Sequence, residues 1–150
     1  MRFLCALLFT LVFCGLAWAD DPLPELRIEK IAEDVYLHTS YQNVDGYGLV
    51  DANGLVVLDG QDAYIIDTPW SQQDTAALVA WLQERNYKVK ASVSTHFHDD
   101  RTAGIGYLNS ISVPTYASEQ TNALLKQHDK ALATKTFGNK SLWLVESKIE

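Results

Sequence analysis

Cysteine is almost missing from this 150-residue chain, and the two residues present, Cys5 and Cys14, both fall near the N-terminus. That stretch, MRFLCALLFTLVFCGLAWAD, opens with Arg2, runs apolar from Phe3 to Trp18 and carries small residues at Ala17 and Ala19. A basic start, an apolar run and an A-x-A site form a secretory signal, expected here to be cut after Ala19. The apolar run falls short of the roughly 20 residues that a membrane-spanning helix requires. Phe13 is bulky where a lipoprotein signal has a small residue, so lipidation of Cys14 is not expected. With the signal gone no thiol remains, which excludes a disulfide framework, a thiolate nucleophile and a thiolate metal ligand within these residues. Runs of lysine or arginine are missing too, and 12 basic residues face 19 acidic ones for a net charge of -7. An acidic, well-mixed sequence is a poor partner for nucleic acid or an anionic membrane. Internal repeats and low-complexity segments are absent.

What remains is an ordinary globular composition, 47% hydrophobic and 21% charged, enough for a single core. We expect residues 1–19 to be the signal, 20–26 a loose leader (DDPLPE and the residue after it), and 27–150 the folded part. Apolar and polar residues alternate around Val35, Tyr36, Leu37 and His38, as in a half-buried strand. NVDGYGLVDANG (43–54) carries three glycines among Asn and Asp and reads as an exposed hairpin loop. LVVLDGQDAYIID (55–67) reads as two strands around a turn. Ser71 and Asp74 resemble a capping box before a helix whose apolar stripe is Ala77, Leu78, Trp81 and Leu82, with Asn86 as its stop. A strand at 87–97, a short helix at about 103–110, a strand at 113–117, a helix at 118–128 and a last strand at 141–150 follow. Strands first, then strand–helix alternation, indicates a layered α/β domain.

The densest chemistry is STHFHDDRTAG (94–104), with two of the four histidines, two aspartates and an arginine. On an extended strand alternate side chains share a face, so His96 and His98 are expected on one side with Phe97 turned to the core. Two imidazoles on one rigid face make half of a zinc site. Asp100 continues the series as the strand breaks, Asp99 turns outward, and Gly104 permits close backbone packing. An isolated H-x-H is often two surface histidines. H-x-H-x-D directly after an apolar strand is far more specific for a metal. His38 is read as structural and His128 as a helix-end cation suited to the dipole. Asp67, in IDTPW, is read as support beneath the histidines.

THFHDDRTAGI resembles the H-x-H-x-D-H loop of the metallo-β-lactamase superfamily. With EDVYLHTSY, GLVVLDGQDAYIIDTPW, VPTYASEQTNALLK and SLWLVESKIE, the chain from about Arg27 to Glu150 is similar to the secreted class B β-lactamases of the first subclass, imipenemase-type. The family's loop has histidine at the position of Arg101 where the enzyme is a thioesterase of the glyoxalase II kind, so Arg101 favours the β-lactamase branch. The resemblance implies an αββα sandwich, of which this chain would be the N-terminal half, a mixed sheet plus helices. It implies two zinc ions per complete enzyme, His96 and His98 serving the first and Asp100 the second, with a third histidine, a cysteine and a last histidine beyond residue 150. It further implies attack on the β-lactam amide by metal-bound hydroxide, oriented by Asp100, without an acyl-enzyme. The missing S-x-x-K serine motif agrees with that.

Tyr47 matches the tip of a hairpin that closes over substrate in the family. The implied setting is a monomer in the periplasm, acting on β-lactam antibiotics and free of the membrane once the signal is removed. Two other readings stand beside this one: another zinc hydrolase of the same fold, acting on a thioester or lactone, and a secreted fragment that is inert because its metal sites are incomplete. The final strand with no turn after it leads us to expect a truncated sequence.

Overall fold

The computed structural model describes residues 22–138. The expected signal and the strand expected at 141–150 lie outside the described residues. Strands β1 (Arg27–Ala32), β2 (Val35–Val44), β3 (Gly48–Asp59) and β4 (Asp62–Ile66) form an antiparallel meander. Strands β5 (Lys88–Ser94), β6 (Thr115–Ser118) and β7 (Lys135–Phe137) extend the same sheet in parallel. All seven lie side by side in chain order. Parallel neighbours need a crossover. Helix α1 (Gln72–Glu84) links β4 to β5, α2 (Asp99–Thr102) and α3 (Ile105–Ser110) link β5 to β6, and α4 (Glu119–Gln127) links β6 to β7. This is the mixed sheet with helices that the sequence implies. The strand ends Ile66, Ser94 and Ser118 all point to one edge, which is where α/β sheets place their ligands.

The core forms where α1 and α3 meet β3 and β4. Val56, Leu58, Ile65, Leu78, Leu82 and Leu108 are each no more than 2% exposed. Tyr36 and Trp81 meet edge to face at 5.1 Å beside them. Helix α1 starts where Ser71 Oγ accepts from the Asp74 amide at 2.9 Å. The Asp74 carboxylate in turn accepts from the Ser71 hydroxyl. The expected apolar stripe is turned slightly: Leu78 and Leu82 are buried with Thr75 and Val79, whereas Ala77 is exposed. Thr75 fits the interior because its hydroxyl donates to the Ser71 carbonyl at 2.7 Å.

One expectation needs correction, and two short elements were not foreseen. The loop expected at 43–54 is mostly ladder, since β3 begins at Gly48 and pairs with β2 throughout, leaving only residues 45–47 in the turn. Gly54 suggested a turn but serves a close approach within a strand. A Cβ there would collide with the His38 ring and come within 2.6 Å of the Asp67 carbonyl. The helix expected at about 103–110 forms as α3 (Ile105–Ser110), but the short helix α2 (Asp99–Thr102) before it was not foreseen. Finally, β7 was not foreseen, being three residues long and without apolar alternation.

Replacing Gly54 by alanine forces either the buried His38 ring or the β4 terminus to shift. Overpacking of this kind costs about 1–3 kcal/mol. Urea unfolding should show a loss in that range or above, with a wild-type midpoint contradicting the packing described.

Candidate metal centre

Strand β5 stops at Ser94 because a side chain takes over from the ladder. The Asp67 amide donates to the Val93 carbonyl at 2.8 Å. The Asp67 carboxylate then accepts from the Thr95 amide at 2.7 Å, where a further strand bond would fall. Asp67 adopts φ 60°, the left-handed region, which Asp tolerates better than most residues. The chain therefore leaves the sheet at Thr95, and residues 95–98 form a bend before α2. His96 and His98 sit on this bend, with His98 at the N-cap of α2 and Asp100 in its first turn. Strand alternation is thus not what brings them together, as the sequence suggested. A bend followed by one helical turn gives the same convergence. Phe97 is half-buried rather than a core residue.

The three side chains do converge. One ligand atom from each of His96, His98 and Asp100 lies within 4.8 Å of the other two, and no further His, Cys, Asp or Glu joins the group among the described residues. The two imidazoles meet edge to face with centroids 4.9 Å apart. His96 Nε2 lies 3.9 Å from Asp100 Oδ1. Two neutral imidazole nitrogens and a carboxylate oxygen form a donor set that suits a borderline divalent metal. The residues fit such an ion.

An outer layer orients this set, and it begins again at Asp67. Thr95 Oγ1 donates to the Asp67 carboxylate, 3.0 and 2.9 Å from its two oxygens. With its one proton used there, Thr95 can only accept from His96 Nδ1, 3.2 Å away. Nδ1 then carries the ring proton and Nε2 presents its lone pair toward Asp100. Metal-binding histidines are commonly fixed this way by a carboxylate or hydroxyl behind them. Arg101 Nε lies 3.1 Å from Asp100 Oδ2 and 3.8 Å from Asp67 Oδ2, and Arg101 Nη1 donates to the Asn53 carbonyl on β3. The Arg101 carbonyl accepts from the Thr68 amide, the Thr68 hydroxyl and the Ser94 hydroxyl. Gly104 closes this layer: its amide donates to Thr68 Oγ1 at 2.9 Å. A Cβ on it would collide with Thr75 and sit 2.8 Å from Thr68 Cβ.

The remaining candidates divide. Asp67 supports the histidines as expected. Asp99 faces outward and pairs with Lys130 at 2.9 Å. His38 is structural, yet 1% exposed rather than solvent-facing, and its Nε2 donates to the Asp67 carbonyl at 2.9 Å. His128 caps α4 and also stacks on Phe97. Tyr47 stands 83% exposed at the β2–β3 tip, and no hydrogen bond or ring contact joins it to the trio among the described residues. Thr95, Asn53 and Lys130 were missed. Thr95 had a usable signal, a hydroxyl directly before the first histidine, whereas the other two reach the loop only through the fold. A groove of about 660 Å³ lined by Leu26, Ile28, Tyr41, Ala77 and Trp81 includes none of the trio.

A His-x-His-x-Asp bend at the carboxyl edge of a mixed sheet defines a metal-binding α/β domain. No family model matches the chain. A metallo-β-lactamase type 2 of Pseudomonas aeruginosa is 52% identical over 138 residues, covering 92% of this chain and 56% of that protein. One of Elizabethkingia meningoseptica is 30% identical over 135 residues, covering 89% of this chain and 54% of that protein. Among solved structures, the DIM-1 metallo-β-lactamase superposes with a TM-score of 0.81 at 53% identity, over 83% of this chain and 57% of that one. TMB-1 superposes with a TM-score of 0.80 at 48% identity, over 82% and 56%. By sequence and by fold the chain belongs to the class B metallo-β-lactamases, as a part of the enzyme domain. It spans little more than half the length of the relatives it matches, consistent with an N-terminal part.

Burial lowers the pKa of His38 from 6.5 to about 4, opposed by its bond to the Asp67 carbonyl and aided by the Arg101 charge. The folded value lies below the unfolded one, so the neutral ring contributes its full stability above pH 6.5. That contribution falls away as pH drops toward 4, a loss of about 3 kcal/mol. Asp67 acts in the opposite direction: burial raises its pKa, and the stability tied to its protonated form is lost as pH rises through that folded value. We expect the His38 ring signal to remain neutral in NMR titrations down to below pH 5. A midpoint near 6.5 would contradict its burial.

Proposed function

We propose that this chain is part of a zinc-dependent hydrolase that opens the β-lactam ring, exported to the periplasm and acting there as a monomer. The convergence of His96, His98 and Asp100 within 4.8 Å, on a chain 52% identical to a metallo-β-lactamase, carries this reading. The imidazole pair suits zinc at one position, and Asp100 offers a carboxylate to a second. Bound zinc would supply Lewis-acid polarisation of the lactam carbonyl and would acidify water to near neutrality. Asp100 would orient the attacking water and could pass its proton on to the departing lactam nitrogen, while Arg101 holds the Asp100 carboxylate at 3.1 Å. Thr95 keeps the His96 lone pair turned toward the metal position. Tyr47, at the exposed hairpin tip, offers an aromatic face to an apolar part of the antibiotic. The leader-like N-terminus, with its basic start and A-x-A site, supports export.

A tetrahedral zinc site needs four donors, and catalytic sites draw three from protein. Two imidazoles at one site and one carboxylate at the other leave each site of a dizinc centre incomplete within the described residues. The chain by itself is therefore expected to hold zinc weakly and to turn over no antibiotic.

In a complete protein carrying this chain, nitrocefin should be hydrolysed, activity should vanish with EDTA and return with Zn2+, and Asp100→Asn should lower kcat by about 10²-fold or more. Turnover of a thioester with none of nitrocefin would overturn the substrate class. For the isolated chain, zinc should be lost during dialysis against a weak chelator, and stoichiometric retention would show that the described residues complete a site.

A further inference from the structure

The peptide between the two histidines is gripped by a turn that the metal chemistry does not use. Helix α4 ends in a Schellman cap. Asp129 adopts φ 53°, its amide donates to the Lys126 carbonyl at 3.3 Å, and the Lys130 amide donates to the Leu125 carbonyl at 3.0 Å. The reversal brings two side chains onto Phe97, the residue that separates His96 from His98. The His128 ring stacks on the Phe97 ring with centroids 5.3 Å apart and planes 18° from parallel. Phe97 in turn meets the His98 ring at 4.5 Å.

Lys130 completes the grip. Its Nζ donates to the Phe97 carbonyl at 3.3 Å and pairs with Asp99 Oδ1 at 2.9 Å. It also lies 5.7 Å from the Phe97 ring centroid. One ammonium therefore holds the main chain before His98 and the side chain after it. An exposed ion pair alone contributes ~0–1 kcal/mol, and the Asp99 side chain is 59% exposed. Global stability does not account for this arrangement. Its effect is local, because both groups it ties flank a single ligand.

We propose that Lys130 is a positioning residue for the metal-binding loop, fixing the peptide that carries His98 so that its ring stays in register with His96 and Asp100. The role rests on the metal-centre reading given above. Groups that orient ligands from behind, when removed, weaken metal affinity by about 10–100-fold. Here the tie is to the backbone and not to the ring, so the lower end, about tenfold, is expected.

The test compares a complete protein carrying this chain with its Lys130→Met and Lys130→Arg variants. Methionine keeps the apolar stem and removes the donors, whereas arginine restores donors and charge. Two readouts are taken: Co2+ affinity from visible-absorption titration, and, without metal, hydrogen exchange at the Arg101 and Ala103 amides, which donate to the His98 and Asp99 carbonyls. Lys130→Met should weaken Co2+ binding about tenfold and accelerate both amides severalfold with an unchanged Tm, and Lys130→Arg should recover both. Equal Co2+ affinity and equal exchange in wild type and Lys130→Met would overturn the positioning role while leaving the metal centre standing. Failure of arginine to recover either readout would overturn it also. No Co2+ binding by the wild type would overturn the metal reading itself, together with the role that depends on it.

Discussion

The carboxylate of Asp67 is the point from which the rest of the site is built. It sits at the end of β4, 7% exposed, and takes the amide and hydroxyl of Thr95 while Arg101 lies 3.8 Å away. The groups facing it are donors or cations, the surroundings of an ionised carboxylate kept from water. Its backbone is committed as well: the amide to Val93 and the carbonyl to His38. A buried acceptor left without such donors is costly. The residues around it are thereby constrained, down to Gly54, whose missing Cβ makes room for His38.

From that anchor the functional geometry follows in order. The antiparallel meander gives way to parallel pairing between β4 and β5, so the two strands end at one edge. Asp67 ends the pairing by capturing Thr95, and the chain turns out of the sheet with both histidines on the bend. Helix α2 is only four residues long and would not hold by its own propensity. It is held by the Arg101 carbonyl, which takes three donors, and by Thr102, whose hydroxyl donates to the His98 carbonyl at 2.8 Å. Asp100 therefore faces His96 because the helix beneath it is sewn to Thr68 and Ser94. From outside, the α4 cap braces the same bend through Phe97.

Much of this was legible in the sequence, for identifiable reasons. The 55–67 hairpin and helix α1 carry local signals, a β-rich run around a turn and a Ser–Asp cap, and both formed. His96, His98 and Asp100 were legible because their spacing survives a change of backbone: i, i+2, i+4 converges on a strand and also on a bend running into a helical turn. The mechanism of convergence was not legible, since the ladder's end depends on Asp67, 28 residues away from Thr95. Gly54 misled for a similar reason. Its glycine serves a ring from β2, not a turn, and only the register of His38 opposite Gly54 reveals that. Lys130 and Asn53 had no local pattern at all. They matter only because the fold lays α4 and β3 against the loop.

Asp67, acting through Thr95, fixes which nitrogen of His96 is left free for metal. Long-range ¹H–¹⁵N NMR on the metal-free chain at neutral pH reads that tautomer directly. His96 should be protonated at Nδ1 with Nε2 bare, and Thr95→Val should abolish that preference. A His96 ring protonated at Nε2 in the wild-type chain, or a preference untouched by Thr95→Val, would contradict it.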